Sequence, residues 1–192
     1  MLYLVSGTSR SGKTLIAKKL LADKQVPYLS LDWLMMGFND GIPEYGIHHL
    51  LWPNEIAGKM APFLQGMIDS MLVDGMDYVI EGEAMLPGLI AELIEKHPDG
   101  IKAVFVGYTE INAEDKVALV KKYSDGENDW LASKSDEYIR DHIANMIGYS
   151  KMIKKECEKH GLPYFDTSED FPAAIEAATD FLVRDLDSNE SM

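Results

Sequence analysis

The sequence predicts a three-layer α/β/α fold in which helices cover both faces of a mostly parallel sheet. Apolar runs of strand length alternate with segments of helical periodicity, and this alternation is typical of parallel sheets. The first apolar run is followed at once by a glycine-rich loop and a helical segment. The length of 192 residues fits one domain with a full core.

Five strands are predicted near 2–6, 27–31, 78–81, 103–107 and 163–166, and the helices near 13–21, 55–74, 86–97, 113–123, 136–160 and 172–186. One domain is expected over 1–186, followed by a frayed polar tail over 187–192. The stretch 37–54 is long for a connection, so we expect a functional loop on the acceptor side. The region 124–140 joins a second irregular stretch to the start of a long helix, and we expect it to form a lid.

A loop that reads G-x-x-x-x-G-K-T follows the first predicted strand. Its glycines let the backbone curl, so that successive N–H groups point into one concavity, and the next helix adds its positive N-terminal end. Lys13 can reach the outer phosphates of a nucleoside triphosphate and act in catalysis, and the Thr14 hydroxyl can ligate Mg²⁺. The alternative is an ordinary Gly/Ser turn. The order of strand, loop and helix favours the P-loop NTPase fold, with nucleotide contacts from Gly7, Thr8, Ser9, Arg10, Ser11, Gly12, Lys13 and Thr14.

Two carboxylates close predicted strands at the edge where ligands of parallel sheets bind. Asp32 ends the second apolar run, where it can accept the proton of an acceptor hydroxyl. The alternative is a helix N-cap, and the two roles are compatible. Glu81 ends the third run, where it can hold Mg²⁺ or its waters. Glu83 is a second candidate for the metal, and a carboxylate that only faces water is the other interpretation of Glu81.

Arg140 is one of three arginines and follows the second irregular stretch. A closing lid could bring this cation onto the transferring phosphoryl group, which would make Arg140 catalytic. The alternative is a surface pair with Glu137, three residues earlier on the same helix.

Composition limits the partners and the location. The formal net charge is −14, from 18 basic and 32 acidic residues, and no basic stripe is present. Nucleic acid is therefore not an expected partner, because its binding depends on neutralising phosphates. No apolar stretch approaches membrane-spanning length, so no membrane association is expected. The single cysteine, Cys157, and a first strand that starts at residue 2 favour a cytoplasmic protein. Oligomeric state stays open.

The chain resembles the small phosphate-loop kinases with nucleoside-monophosphate-kinase-like architecture. The loop at residues 7–14 and the Leu31-Asp32-Trp33 step are similar to those of the chloramphenicol phosphotransferases, in which an Asp at this place is the base for a substrate hydroxyl. Residues 80–88, I-E-G-E-A-M-L-P-G, are similar to a segment of the 2-phosphoglycerate kinases. The resemblance implies strand order 2-3-1-4-5, ATP with Mg²⁺, a helical lid before the last strand, and Thr167 near the adenine.

The chain departs from this family at two places. Glu81 stands where nucleotide kinases usually have Asp, and the lid region offers one arginine where they often have several. Between Tyr28 and Gly100 the only lysines or arginines are Lys59 and Lys96, whereas a phosphorylated acceptor needs such cations.

The predicted function is therefore ATP-dependent phosphoryl transfer to a hydroxyl of a small molecule that carries no phosphate of its own. A nucleotide-binding regulatory protein with weak ATPase activity, and a nucleotide or phosphoglycerate kinase, are the alternatives. A GTPase switch is disfavoured, because no glycine has an Asp three residues before it.

Overall fold

The computed structural model describes residues 1–122, 131 and 134–184. Its strands are β1 (Leu2–Gly7), β2 (Tyr28–Ser30), β3 (Tyr78–Glu81), β4 (Ile101–Gly107) and β5 (Tyr164–Asp166). Its α-helices are α1 (Lys13–Lys24), α2 (Leu31–Gly41), α3 (Pro53–Asp74), α4 (Pro87–Lys96), α5 (Ala113–Lys122), α6 (Asp136–His160) and α7 (Phe171–Val183).

The five strands form one parallel sheet in the order β2-β3-β1-β4-β5, which confirms the predicted order. In the centre, Leu4 of β1 is in register with Ile80 of β3 and with Ala103 of β4. Because β1 is the middle strand, the loop that follows it emerges at the centre of the carboxyl edge. The residues after β3 and β4 lie on either side of that loop.

Side chains along β1 alternate between two cores, one on each face of the sheet. Leu2 and Leu4 are buried in a cluster with apolar residues of α3, α4 and α6. Tyr3 and Val5 are buried in a second cluster with residues of α1 and α7. Burying one such side chain contributes about 1.5–3 kcal/mol. The three-layer prediction is therefore confirmed. No described helix is long and apolar enough to cross a membrane.

The prediction of an irregular stretch over 37–54 is wrong at its start, because α2 continues to Gly41. Residues at helical spacing hold α2 on the core: Leu31 is buried, and Leu34, Met35 and Phe38 pack against the same cluster. Polar and glycine residues on the outer face of α2 make the helical spacing of its apolar residues hard to detect in the sequence. What remains irregular is the connection 42–52, which contains a short 3₁₀ turn at Pro43–Tyr45.

Much of the predicted lid and the whole predicted tail lie outside the described residues. The described end of the lid region is the start of α6. There Leu131, Ile139 and Ile143 form a small apolar cluster with Val117 and Val120 of α5. This contact joins α5 and α6 into one packed pair.

Candidate active site

The loop between β1 and α1 has a backbone that only glycine adopts without strain at two positions. Gly7 and Gly12 have φ of 131° and 101°. A Cβ on Gly7 would lie 1.8 Å from the carbonyl oxygen of Val106, and one on Gly12 would lie 2.4 Å from the Cδ1 of Ile175. Within the loop, Ser11 Oγ donates to Thr8 O at 2.7 Å. The predicted loop is therefore a compact turn pressed against β4 and α7.

Lys13 and Thr14 begin α1 and lie close to two carboxylates, Glu81 at the end of β3 and Glu83 just after it. Lys13 Nζ donates to Thr8 O at 2.7 Å and lies 3.5 Å from Glu83 Oε1. Thr14 Oγ1 donates to Glu81 Oε1 at 3.3 Å. The structure therefore brings four groups together at the carboxyl edge: an ammonium, a hydroxyl and two carboxylates.

Burial raises the pKa of Glu81 above its ordinary value, and the charge of Asp32 adds to this effect. Hydrogen bonds from Ser30 and Thr14 and the charge of Lys13 act in the opposite direction. Burial likewise raises the pKa of Glu83, with further contributions from Asp32 and Glu81. Three carboxyl groups, those of Glu81, Glu83 and Asp32, thus share the site with the Lys13 ammonium. Carboxylate and hydroxyl oxygens are ligands that Mg²⁺ prefers, so the donor set fits a divalent cation.

Asp32 lies in the first turn of α2 and is exposed. The helix N-cap is Ser30, so the N-cap alternative for Asp32 is wrong. The carboxylate of Asp32 is close enough to Glu81 and Glu83 to raise the pKa of both. Asp32 therefore belongs to the same carboxylate group, at its solvent side.

Arg10 and Arg140 have different surroundings. Arg10 sits in the loop, is partly buried and has a left-handed backbone with φ of 60°. Arg140 is exposed on α6, and its Nε lies 3.7 Å from Glu114 Oε1 of α5. This ion pair joins the two packed helices, and its partner differs from Glu137, which the alternative interpretation of Arg140 had named. Among the described contacts, none joins Arg140 to Lys13.

Thr167 follows β5 and faces inward. Its Oγ1 donates to Gly107 O at 3.1 Å, and its backbone N–H donates to the same oxygen at 2.7 Å. The preceding Asp166 accepts hydrogen bonds from Thr109 and Ser168. Burial acts to raise the pKa of Asp166, but these hydrogen bonds outweigh it and hold the pKa below its ordinary value. These contacts fix the turn at residues 166–168 beside the end of β4. The Thr167 hydroxyl is hydrogen-bonded to Gly107 O within it.

Three residues that the sequence did not single out contact the loop from outside it. Ser150 of α6 is buried, and its Oγ lies 2.9 Å from Thr8 Oγ1. Tyr108 Oη donates to Ser9 O at 2.8 Å, and Lys116 Nζ donates to Arg10 O at 3.0 Å. Tyr108 directly follows β4, and residues that follow a strand lie at the edge where ligands bind. Its position in the sequence was therefore a signal of the same kind as that of Asp32. For Ser150 and Lys116 the sequence holds no such signal.

No protein-family model matches this chain, and no curated protein matches it significantly in sequence. Solved structures share its architecture over nearly the whole length. A gluconokinase from Sinorhizobium meliloti 1021 is 14% identical, with 99% of this chain and 97% of that chain covered and a TM-score of 0.56. A shikimate kinase from Bacteroides thetaiotaomicron is 16% identical, with coverages of 97% and 98% and a TM-score of 0.56. A shikimate kinase from Acinetobacter baumannii, in complex with shikimate, is 16% identical, with coverages of 100% and 94% and a TM-score of 0.53.

At these identities the likeness concerns the fold alone. The loop at Gly7–Thr14, the strand order and these neighbours agree on one architecture. This chain has the fold of the P-loop kinases.

Proposed function

We propose that this protein is an ATP-dependent phosphotransferase that moves the γ-phosphate of ATP to a hydroxyl group of a small molecule. The observation that carries the proposal is the meeting of Lys13 and Thr14 with Glu81 and Glu83 at the base of the phosphate loop, with Asp32 beside them. The names of the structural neighbours, gluconokinase and shikimate kinase, denote kinases of small molecules and agree with it.

The loop supplies the donor half of the site. Backbone N–H groups of residues 9–13 would bind the phosphates of ATP, helped by the N-terminal end of α1, whereas the Thr8 N–H already donates to Val106 O. Thr14 Oγ1 and the Glu81 carboxylate would hold Mg²⁺, which would offset the negative charge of the phosphates. Lys13 Nζ, which contacts Thr8 O and Glu83 in the free protein, would turn to the outer phosphates and stabilise the charge that develops during transfer.

Asp32 supplies the acceptor half. Its carboxylate would accept the proton of the acceptor hydroxyl while the hydroxyl oxygen bonds to the γ-phosphorus. The bond between that phosphorus and the oxygen bridging to the β-phosphate breaks, and ADP leaves. Because Asp32 is more exposed than Glu81 and Glu83, it is the carboxylate of the group that an entering acceptor meets first.

The few basic residues on the acceptor side limit the chemical class of the acceptor. Of the two lysines between Tyr28 and Gly100, Lys96 ends α4 and lies 2.6 Å from Asp69, at the opposite edge of the sheet. Lys59 alone remains near the irregular connection, where its Nζ approaches Gly46. A phosphate group on the acceptor would need a stronger cationic partner. The acceptor we propose is therefore a hydroxyl compound without phosphate.

The test compares Asp32→Asn with wild type in an ATP-consumption screen over nucleosides, sugars, hydroxy acids and amino alcohols. Asp32→Asn should lower acceptor-dependent turnover by about 10²–10⁴-fold, while the affinity for MgATP stays nearly unchanged. Asp40→Asn, an exposed change at the far end of α2, is the matched control and should keep full turnover. Full transfer activity in Asp32→Asn would refute the base assignment. ATP hydrolysis that no compound accelerates would favour the regulatory alternative.

A further inference from the structure

The apex of the phosphate loop is held by two side chains that belong to other elements. Tyr108 Oη, at the end of β4, donates to Ser9 O at 2.8 Å. Lys116 Nζ, on α5, donates to the next carbonyl, Arg10 O, at 3.0 Å. Tyr108 is fully buried and Lys116 is 4% exposed, so water competes little for either hydrogen bond.

Lys116 occupies an unusual place for an ammonium group. Its Nζ lies 4.1 Å from the centre of the Tyr108 ring and 5.6 Å from that of the Phe171 ring. Among the described residues, no carboxylate lies within ion-pair distance of it. A buried ammonium is costly unless it is paired. The Arg10 carbonyl and the face of the Tyr108 ring are therefore the groups that fix its position.

The backbone at this point is strained. Arg10 has φ of 60°, in the left-handed region that a side chain other than glycine seldom adopts. Such a conformation persists only when its surroundings hold it. The two hydrogen bonds restrain Arg10 itself and the preceding residue, Ser9.

We propose that Tyr108 and Lys116 are positioning residues, a clamp that fixes the apex of the phosphate loop before a nucleotide arrives. Each donor binds a backbone carbonyl of the loop, Ser9 O or Arg10 O, and so restricts the peptide groups whose N–H would face a bound phosphate. The effect on nucleotide affinity rests on the proposed function, whereas the effect on the loop itself does not.

The clamp also links the loop to the helix pair that carries Arg140. Lys116 lies on α5, whose Val117 and Val120 pack against Ile139 and Ile143 of α6. A shift of this pair relative to the sheet would move Lys116 Nζ away from Arg10 O. The conformation of the loop therefore depends on the position of α5 as well as on its own glycines.

Amide hydrogen exchange of the ligand-free protein tests the clamp directly. Tyr108→Phe removes one hydroxyl, and Lys116→Met removes the ammonium while keeping most of the apolar stem. Each should speed exchange of the amides in residues 8–13 by roughly fivefold, the change that corresponds to one lost hydrogen bond. Lys18→Met, on the exposed side of α1, makes the same chemical change without a loop contact and should leave exchange unaltered. Unchanged loop exchange in both clamp variants would overturn the proposal.

Binding of MgATP, measured by calorimetry, tests the consequence. Both clamp variants should bind about five- to tenfold more weakly than wild type, and the double variant should lose less than the product of the two effects, because both donors hold one segment. Faster loop exchange together with wild-type affinity would refute the claim that the clamp sets affinity. A wild-type protein that binds no MgATP would refute the proposed function instead, and the exchange rates would still decide the clamp.

Discussion

Lys116→Met should change the stability of the protein by an amount that depends on pH. Burial, together with the charge of Arg10, lowers the pKa of Lys116 to about 8. In the unfolded chain a lysine has a pKa of about 10.4. The unfolded state therefore binds the proton more tightly, and the charged lysine destabilises the folded state below pH 8. This penalty is relieved as the pH rises from about 8 toward 10.

The size of the effect follows from these two pKa values. Linkage gives a penalty of about 3 kcal/mol at pH 7 and about 1 kcal/mol at pH 9.5. Met has no proton to lose, and the altered packing around it adds a free-energy change that does not vary with pH. The unfolding free energy of wild type should therefore gain about 2 kcal/mol relative to Lys116→Met between pH 7 and pH 9.5.

Urea unfolding of the ligand-free proteins at pH 7 and pH 9.5 measures this difference. Lys18→Met is the control. Because Lys18 is exposed, the difference in unfolding free energy between this variant and wild type should be the same at both pH values. A difference in unfolding free energy between wild type and Lys116→Met that does not change with pH would mean that the Lys116 ammonium is not buried.

Two further predictions concern the loop and the carboxylates. Gly7→Ala should destabilise the protein by about 3 kcal/mol or more in thermal unfolding, because the new Cβ would meet Val106 O at a positive φ. Gly148→Ala, with open space around it, should be neutral or slightly stabilising. Equal effects of the two substitutions would show that the loop does not require glycine at position 7. Because burial raises the pKa of Glu81, its contribution to stability is present at low pH and is lost as the pH rises through the folded-state pKa. Glu81→Gln should therefore gain stability relative to wild type from about pH 4 to pH 7, and parallel pH profiles in urea unfolding would show the carboxyl to be solvated.

The sequence was most informative where chemistry depends on local spacing. The loop at Gly7–Thr14 could be predicted because its residues act together within one turn, and the strands could be predicted because each is a short apolar run. The same reasoning placed Glu81 and Asp32 at the carboxyl edge, where the structure brings them together. The strand order came from the family resemblance, and the sheet confirms it.

The contacts that the sequence could not supply join residues far apart in the chain. Lys116 and Arg10 are separated by 106 positions, and no local pattern marks a lysine that will be buried over a tyrosine ring. Arg140 pairs with Glu114 because α5 packs on α6, whereas the alternative drawn from the sequence considered only Glu137 on the same helix. Helix α2 was not predicted. One reason is that glycine and polar residues of its outer face stand between its apolar residues along the sequence.

If the loop is the donor half of a phosphotransferase, the γ-phosphorus of ATP must end on a hydroxyl group of the acceptor. Phosphorus NMR of wild-type protein with MgATP and the hydroxyl compounds of the screen would follow that atom. The γ-phosphorus should appear in a phosphate monoester of one compound, in an amount equal to the ADP formed. Release of inorganic phosphate alone, at a rate that no compound changes, would contradict it.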